Sequence, residues 1–488
     1  EGNGKITDAE LSATGGRLVP GWDAMERLIE LEARQLQEEG AVPEAAESAA
    51  TEARHRHLAG CNEFTIWSAF DHVPRRMDFP FIEPSDLPAI RAARTGKDKV
   101  LKWRGDETEL RDRLLGAWLG RCIGCALGKP VEAFMDSRGG MASWQRVKSY
   151  LMAISPDEWP IRGYIPEHSP AEAHTGRIVC PNSTRERLRF METDDDIRYT
   201  VLGQYVLRTY GRDFLPIHVA RSWFEKLTYR QVCTAEAQAY RSLVMWDETV
   251  RRTNTPAEAA TSQAATDWNR VTHHLNPYRE WIGAQIRCDS YAYAAPGRPS
   301  LAAEFAWRDA SISHVKNGIY GSMFFAAMMA AAFCLENPLD LVEAGLAQIP
   351  AHSRLRADIR ETVALCRSLD FRADRFEEAI EWLYHRWGHL SPAHTNNNAA
   401  LCVTALLLGG GDPVRSIALA VMGGWDTDCN GATVGSIVGI LHGAAGWPRE
   451  WTEPLHDTLY AGVVDYHPIA ISECARVAGD LALKFLSA

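Results

Sequence analysis

The chain has 488 residues, 46% of them hydrophobic, and carries a formal net charge of −11. That length and apolar share supply one large core or about two to three ordinary domains and argue against wholesale disorder. The acidic balance argues against a general nucleic-acid binder, which needs a basic footprint to neutralise phosphates.

From about residue 20 to 60 the chain is rich in Ala, Glu and Arg, with Met25, Leu28, Ile29, Leu31 and Leu36 at helical spacing. The pattern predicts an amphipathic helix followed by a more polar one. Residues 61–105 gather Phe64, Trp67, Phe70, Phe79, Pro80 and Phe81 in irregular sequence. These aromatics are too many to leave in water and too few for a core of their own. Residues 1–105 are therefore expected to form an extension packed on the rest, and 106–488 the main domain.

From residue 106 onward the sequence reads as nearly all helix. Apolar runs of helical length recur (Leu110–Leu127, Ile197–Leu207, Gly318–Leu335, Ala399–Leu408, Ser416–Met422, Ala432–Leu441), and Gly409-Gly410-Gly411-Asp412-Pro413 punctuates them. Gly116, Gly120, Gly124 and Gly128 recur every four residues, and so do Gly431, Gly435, Gly439 and Gly443. Each glycine inside a helix costs roughly 1 kcal/mol relative to alanine. Four on one face imply close backbone approach, so two central helices are expected to pack tightly. A membrane pair of this spacing is disfavoured by Arg113, Arg121 and Lys129. Residues 136–190, rich in Pro, Arg and Ser, read as a long surface excursion.

The 11 cysteines are odd in number and follow no framework, which fits reduced thiols. Cys122-x-x-Cys125 is the one CxxC and sits in a helical pattern, where small-residue packing outweighs a zinc or redox role. No signal peptide or membrane span is legible. A cytoplasmic protein is expected.

Two acidic clusters carry most of the chemical information: Glu192-Thr193-Asp194-Asp195-Asp196, and Gly423-Gly424-Trp425-Asp426-Thr427-Asp428-Cys429-Asn430-Gly431. Each runs into an apolar helical stretch. One such cluster alone is often only a helix N-cap with favourable charge at the positive end of the dipole. Two of them point further, because crowded carboxylates repel unless a cation holds them. Hard oxygen donors suit Mg²⁺, Mn²⁺ or Ca²⁺ rather than zinc. If the clusters meet, they form a divalent-metal site.

Three motifs in order resemble the ADP-ribosylglycohydrolase family, which includes the dinitrogenase-reductase-activating glycohydrolases and the J1 crystallins. They are Gly116-x-x-x-Gly120-x-x-x-Gly124-Cys-Ala-Leu-Gly128-Lys-Pro-Val-Glu132, then Thr193-Asp194-Asp195, then Gly424-Trp-Asp426-Thr-Asp428-Cys-Asn. The resemblance covers 106 to about 450. It implies a compact, orthogonal all-α bundle with a binuclear Mg²⁺ or Mn²⁺ site, held by Thr193, Asp194, Asp195, Asp426 and Asp428. It implies hydrolysis of an N- or O-glycosidic bond at the anomeric carbon of a ribofuranose. Glu132 is the expected proton-transfer group, with Asp195 and Asp428 orienting substrate and water. Downstream, Asp309-Ala-Ser-Ile-Ser-His314 matches a family stretch, and His314 is a substrate-side candidate or a helix-cap histidine. His394-Thr-Asn396-Asn397-Asn398 offers amides to sugar hydroxyls, or else forms an N-cap and turn.

Three departures shape the expectation. Cys429 stands where the family has a metal-ligand Thr, and a thiol is a soft partner for Mg²⁺. One well-occupied and one weaker metal position are therefore expected, with Asp196 as a compensating carboxylate. Cys125 stands in place of an Asp. Arg287-Cys288-Asp289-Ser290-Tyr291 stands where the family carries a Ser-Asn-Gly stretch serving ribose and phosphate, with Asp289 as the substrate-side candidate. The expected partner is a small molecule or an ADP-ribosylated substrate, with neither nucleic acid nor membrane. A nucleoside or other small furanoside is the alternative substrate. A non-catalytic sugar-nucleotide binder or crystallin-like member is the alternative outside hydrolysis. A di-iron bundle would have to use Glu52–His55 and Glu453–His456, the second interrupted by Pro454.

Overall fold

The computed structural model describes residues 21–95, 100–246 and 254–487. The parts of the expected extension at 1–20 and 96–99 lie outside the described residues. The described chain is all-α apart from a two-stranded antiparallel pair, Thr458–Leu459 with Ile469–Ala470.

The N-terminal amphipathic pattern becomes α1 (Met25–Glu38), and the Ala-rich segment becomes α2 (Pro43–Leu58), with Pro43 in the first turn. The first glycine-spaced segment is α3 (Glu107–Gly128), capped by the Asp106 side chain accepting from Glu109 N–H. Then come α4 (Asp195–Tyr210), α5 (Thr234–Trp246), α6 (Pro299–Ala310), α7 (Lys316–Ala332), α8 (Arg354–Ser368), α9 (Thr395–Gly409), α10 (Pro413–Met422), α11 (Thr427–His442) and α12 (Ile471–Leu486). The Gly409–Pro413 string does what its composition asks. Gly410 takes φ +65° past the end of α9, the Asp412 side chain caps α10 by accepting from Arg415 N–H, and Pro413 opens that helix.

Helices α3 and α11 form the centre, and their glycines interlock. A Cβ on Gly120 would lie 2.1 Å from the Gly435 carbonyl oxygen, and one on Gly116 would lie 2.4 Å from that of Gly439. No side chain larger than hydrogen fits between these backbones. Helices α10 and α12 flank the pair. Helix α7 is buried on every face, as its unbroken apolar composition requires.

The extension lies on the family-like region and shares a core with it. Leu28, Ile29, Leu31, Ile66, Trp67 and Phe70 pack with Ala235, Leu275 and Tyr278. Phe64 stacks on His274, and Phe79 meets Phe81 edge-on. Buried charges pin the contact. Arg279 pairs with Glu32 and Glu39 at 2.7 Å each, and Arg354 is held by Glu83 and Glu280 at 2.7 Å.

Residues 136–190 depart in part from the expected surface excursion: most of 153–190 is irregular and exposed or half-buried. They hold a helix, Ser143–Met152, whose Trp144, Val147, Tyr150 and Leu151 are buried, and Tyr164 and Ile165 follow them into the core. Apolar residues at helical spacing within the Arg/Ser-rich stretch are the physical reason. The Glu-x-x-His strings bring nothing together: Glu52 and His456 are exposed.

Candidate metal centre

The two acidic clusters meet although they lie far apart in the chain. Asp194 caps α4, its Oδ1 accepting from Asp196 N–H at 2.9 Å, so Asp195 and Asp196 fall in the first turn. Asp426 precedes α11 and Asp428 lies in its first turn. Glu132 comes from the 3-10 turn Lys129–Phe134 that follows α3. Ligand-capable atoms of Glu132, Asp426 and Asp428 lie within 4.8 Å of one another, as do those of Asp194, Asp195 and Asp196. Asp428 also falls within that distance of Cys125 and Asp194, and of Asp196 and Cys429. It is therefore the hinge between the clusters.

The glycine contact sets this convergence. Gly128 packs on Thr427, where a Cβ would lie 2.3 Å from the Thr427 carbonyl, and Thr427 Oγ1 donates to Gly128 O at 2.8 Å. The turn into α11 is fixed from its other side. Gly424 has φ +73° and Trp425 φ +55°. Trp425 N–H donates to Ser143 Oγ at 2.9 Å, and its ring stacks on Tyr384 at 4.2 Å. Asn398 Oδ1 accepts from Asp426 N–H at 3.3 Å and from Asn430 Nδ2 at 2.8 Å.

Asp194, Asp196, Asp426 and Asp428 are buried, while Glu132 and Asp195 are half-buried. The centre thus opens toward solvent beside Glu132 and Asp195. The electrostatics follow from crowding. The Asp428 charge and then burial push Glu132 well above the usual carboxylate range. Burial and then Asp428 raise Asp426 well above the usual carboxylate range, and burial raises Asp428. Burial and the Asp194 charge raise both Asp195 and Asp196. Asp194 goes the other way. Burial opposes its charge, but Lys129 and the Asp196 N–H outweigh it and hold the carboxyl low.

Two buried cations stand at the cluster. Lys129 Nζ donates to Asp194 Oδ2 and, at 3.1 Å, to Thr193 O. Arg121, fully buried, donates through Nε to Asp196 O at 2.9 Å and pairs with Asp289 at 3.0 Å. Both stood in the sequence as charges on an apolar, glycine-spaced stretch. Their position one and three helical turns from the site residues was the signal that could have singled them out.

The remaining candidates stand apart from the carboxylates or behind them. The Thr193 hydroxyl accepts from Arg198 Nη2 at 3.0 Å and donates to Ala461 O at 3.3 Å. Asp289 is buried and holds Arg121, Ser436 Oγ and Tyr293 OH, so it touches the centre only through Arg121. Asn396 Nδ2 donates to Asp358 at 2.7 Å and Asn397 Nδ2 to Ser391 O at 3.0 Å, so both amide nitrogens are engaged within the protein, while Asn396 Oδ1 is buried without a partner among the described residues. His314 is buried with Nδ1 on Ser313 Oγ at 2.8 Å, and burial keeps it neutral. It lines a mostly apolar cavity of about 250 Å³ with Trp268 and Trp307, and no acidic-cluster residue lines that cavity. Asp196, expected to compensate for Cys429, is already engaged: Cys429 Sγ donates to its Oδ2 at 3.1 Å and Arg121 takes its main-chain oxygen.

The donor set suits a hard divalent cation. It is a crowd of carboxylate oxygens, several raised by mutual repulsion, with too few protein cations to balance them. The fold and this donor set define an all-α protein with a buried carboxylate centre. A family model described as ADP-ribosylglycohydrolase matches residues 106–483, and the chain belongs to that family. Among solved structures it is similar to an "ADP-ribosylglycohydrolase-related protein complex" at 19% identity, with 77% of this chain and 99% of that chain covered and a TM-score of 0.45. No curated protein sequence matches it.

Proposed function

We propose that this family member is a divalent-metal-dependent glycosidase that hydrolyses an N- or O-glycosidic bond at the anomeric carbon of a ribofuranosyl group. The observation that carries the proposal is the meeting of Glu132, Asp426 and Asp428 with the Asp194–Asp196 run at one opening. Asp426 and Asp428 would hold a Mg²⁺ or Mn²⁺ ion beside Glu132. Such an ion supplies Lewis-acid polarisation and orientation of sugar hydroxyls and water.

The protein's own groups supply the rest. Furanoside cleavage passes through an oxocarbenium-like state, which needs a proton delivered to the leaving atom and a water deprotonated. Glu132 is the proton-transfer group. Its carboxyl is half-buried and lies beside those of Asp426 and Asp428. Asp195 is the second carboxylate at the opening and orients the attacking water.

A substrate without a diphosphate, such as a nucleoside or small furanoside, is the second reading. One observation favours it. Arg287, in the stretch that replaces the family's Ser-Asn-Gly, is wholly committed inside the protein. It pairs with Glu236 and Asp309 and lies 5.2 Å from the Trp223 ring centre, leaving no charge for a phosphate. ADP-ribosyl protein and small furanosides are the substrate classes to compare. The net acidity argues against nucleic acid. Among the described residues no helix is long and apolar enough to cross a membrane. Eleven unpaired thiols suit a reducing compartment such as the cytoplasm.

The test is release of free ribose or ADP-ribose from a panel of ADP-ribosylated peptides, nucleosides and simple furanosides, with Mg²⁺, with Mn²⁺ and with EDTA. Turnover that needs the metal and disappears in Glu132→Gln supports the proposal. A metal-loaded protein inert on every furanoside points to a non-catalytic member of the family.

A further inference from the structure

The carboxylate centre is asymmetric, and Lys129 makes it so. On one side, Glu132, Asp426 and Asp428 offer oxygens to which no basic side chain among the described residues is hydrogen-bonded. On the other side, every donor except the half-buried Asp195 carboxylate is already engaged. Asp194 gives Oδ1 to Asp196 N–H and Oδ2 to Lys129. Asp196 is taken by Arg121 and the Cys429 thiol. The Thr193 hydroxyl is turned to Arg198 and Ala461. Two thiols, Cys125 and Cys429, face this side.

Lys129 has little freedom to leave. The preceding residue, Gly128, is clamped to Thr427, and the following one, Pro130, accepts from Val179 N–H at 3.0 Å. Its ammonium is buried and bridges Asp194 to the Thr193 carbonyl. A compact positive charge with three donors meets the demands a cation would otherwise meet there.

We infer that Lys129 is a tethered cation filling the Asp194 side of the centre in place of a second divalent ion, so that the protein holds a single divalent ion on the Glu132–Asp426–Asp428 side. The inference rests on the metal-dependent reading above and goes beyond it in fixing the count and its cause. Lys129 is a positioning residue here: it holds Asp194 and through it the first turn of α4. Cys429 fits this arrangement, since a side with no divalent ion has no use for a hydroxyl ligand.

The test is the number of Mn²⁺ ions bound by the full chain, from equilibrium dialysis, together with the electron paramagnetic resonance spectrum of the bound ions. The wild type is expected to bind one ion, with the spectrum of an isolated Mn²⁺. Lys129→Met is expected to gain a second ion and the coupled spectrum of a close pair. Lys129→Arg, which keeps the charge, is expected to stay at one. Two ions of similar affinity in the wild type would overturn the inference while leaving the metal-dependent reading intact, and so would one ion in a folded Lys129→Met protein. No ion in either protein would overturn both. Should Lys129→Met fail to fold, the wild-type count and spectrum decide alone.

Discussion

Gly124 and Gly431 face each other backbone to backbone. A Cβ on Gly124 would lie 2.0 Å from the Gly431 carbonyl oxygen, and one on Gly431 would lie 2.3 Å from that of Gly124. The contact belongs to a ladder that ends where Gly128 meets Thr427, at the entrance to the carboxylate centre. Packing and chemistry are thus one construction: the approach of α3 to α11 sets how near Glu132 stands to Asp428.

Gly124→Ala should therefore be severe for so small a change. Neither backbone can yield without separating the helices, so a loss of about 3 kcal/mol or more is expected, at or above the upper end of overpacking costs. Gly163→Ala is the control. Its Cβ would meet only the Arg185 side chain, at 3.7 Å, and stability should stay within about 1 kcal/mol of wild type. Denaturant unfolding of the two variants checks this; equal stabilities would show that the ladder is incidental.

The charged seam under the extension gives a second expectation. Arg279 is buried between Glu32 and Glu39. Arg279→Met leaves those carboxylates short of a partner, and breaking a buried pair this way costs about 3–5 kcal/mol. The melting temperature should fall steeply, and the extension should become the first segment cut in limited proteolysis. Unchanged proteolysis would mean that the apolar contacts of Trp67 and Phe70 hold it unaided.

The acidic centre makes stability depend on pH in a stated direction. Burial, the Asp194 charge and other neighbours raise Asp428 to about 7, and Glu132, Asp195, Asp196 and Asp426 are raised as well. A carboxyl whose folded pKa lies above its unfolded value of roughly 4 binds more protons when folded. Its contribution is full below pH 4 and is lost as pH rises toward 7. In EDTA the melting temperature should carry a falling component across that window. Asp194, held low, contributes in the opposite sense and only at lower pH. Added Mg²⁺ replaces protons, so the stabilisation it gives should grow from pH 5 to pH 8. A Mg²⁺ effect independent of pH would contradict this. The measurement is a set of thermal melts with and without Mg²⁺.

Asp289 separates two accounts of the same residue. Sequence reasoning made it a substrate-side group; the structure buries it against Arg121, Ser436 and Tyr293. Asp289→Asn should lower stability by roughly 2–4 kcal/mol, since Arg121 loses the nearer of its two carboxylate partners. KM should stay near wild type in the folded fraction. A large rise in KM with normal stability would restore the substrate role.

Much of the centre was legible because its signals are local and periodic. Glycines at four-residue spacing on one helical face announce backbone contact, and Asp194 and Asp426 both stand at the N-cap of a helix, although only the Asp194 side chain makes the capping bond. Lys129 and Arg121 were visible only as interruptions of an apolar face. Their partners lie in other segments, so their role is a tertiary fact. Asn396, Asn397 and His314 illustrate the converse. Polar residues at a helix start look alike whether they face a ligand or a buried partner, and Asp358 and Ser313, which engage Asn396 and His314, are distant or unremarkable in the sequence. The stretch 136–190 read as surface because its Arg and Ser content masked Trp144, Val147 and Tyr150 on one helical face.

The most direct test of the central claim is anomalous diffraction from crystals equilibrated with Mn²⁺. The account predicts a peak bounded by the carboxylates of Glu132, Asp426 and Asp428, lost in Asp428→Asn crystals of the same form. Mn²⁺ bound only elsewhere, or no peak at these carboxylates in the wild type, would contradict it.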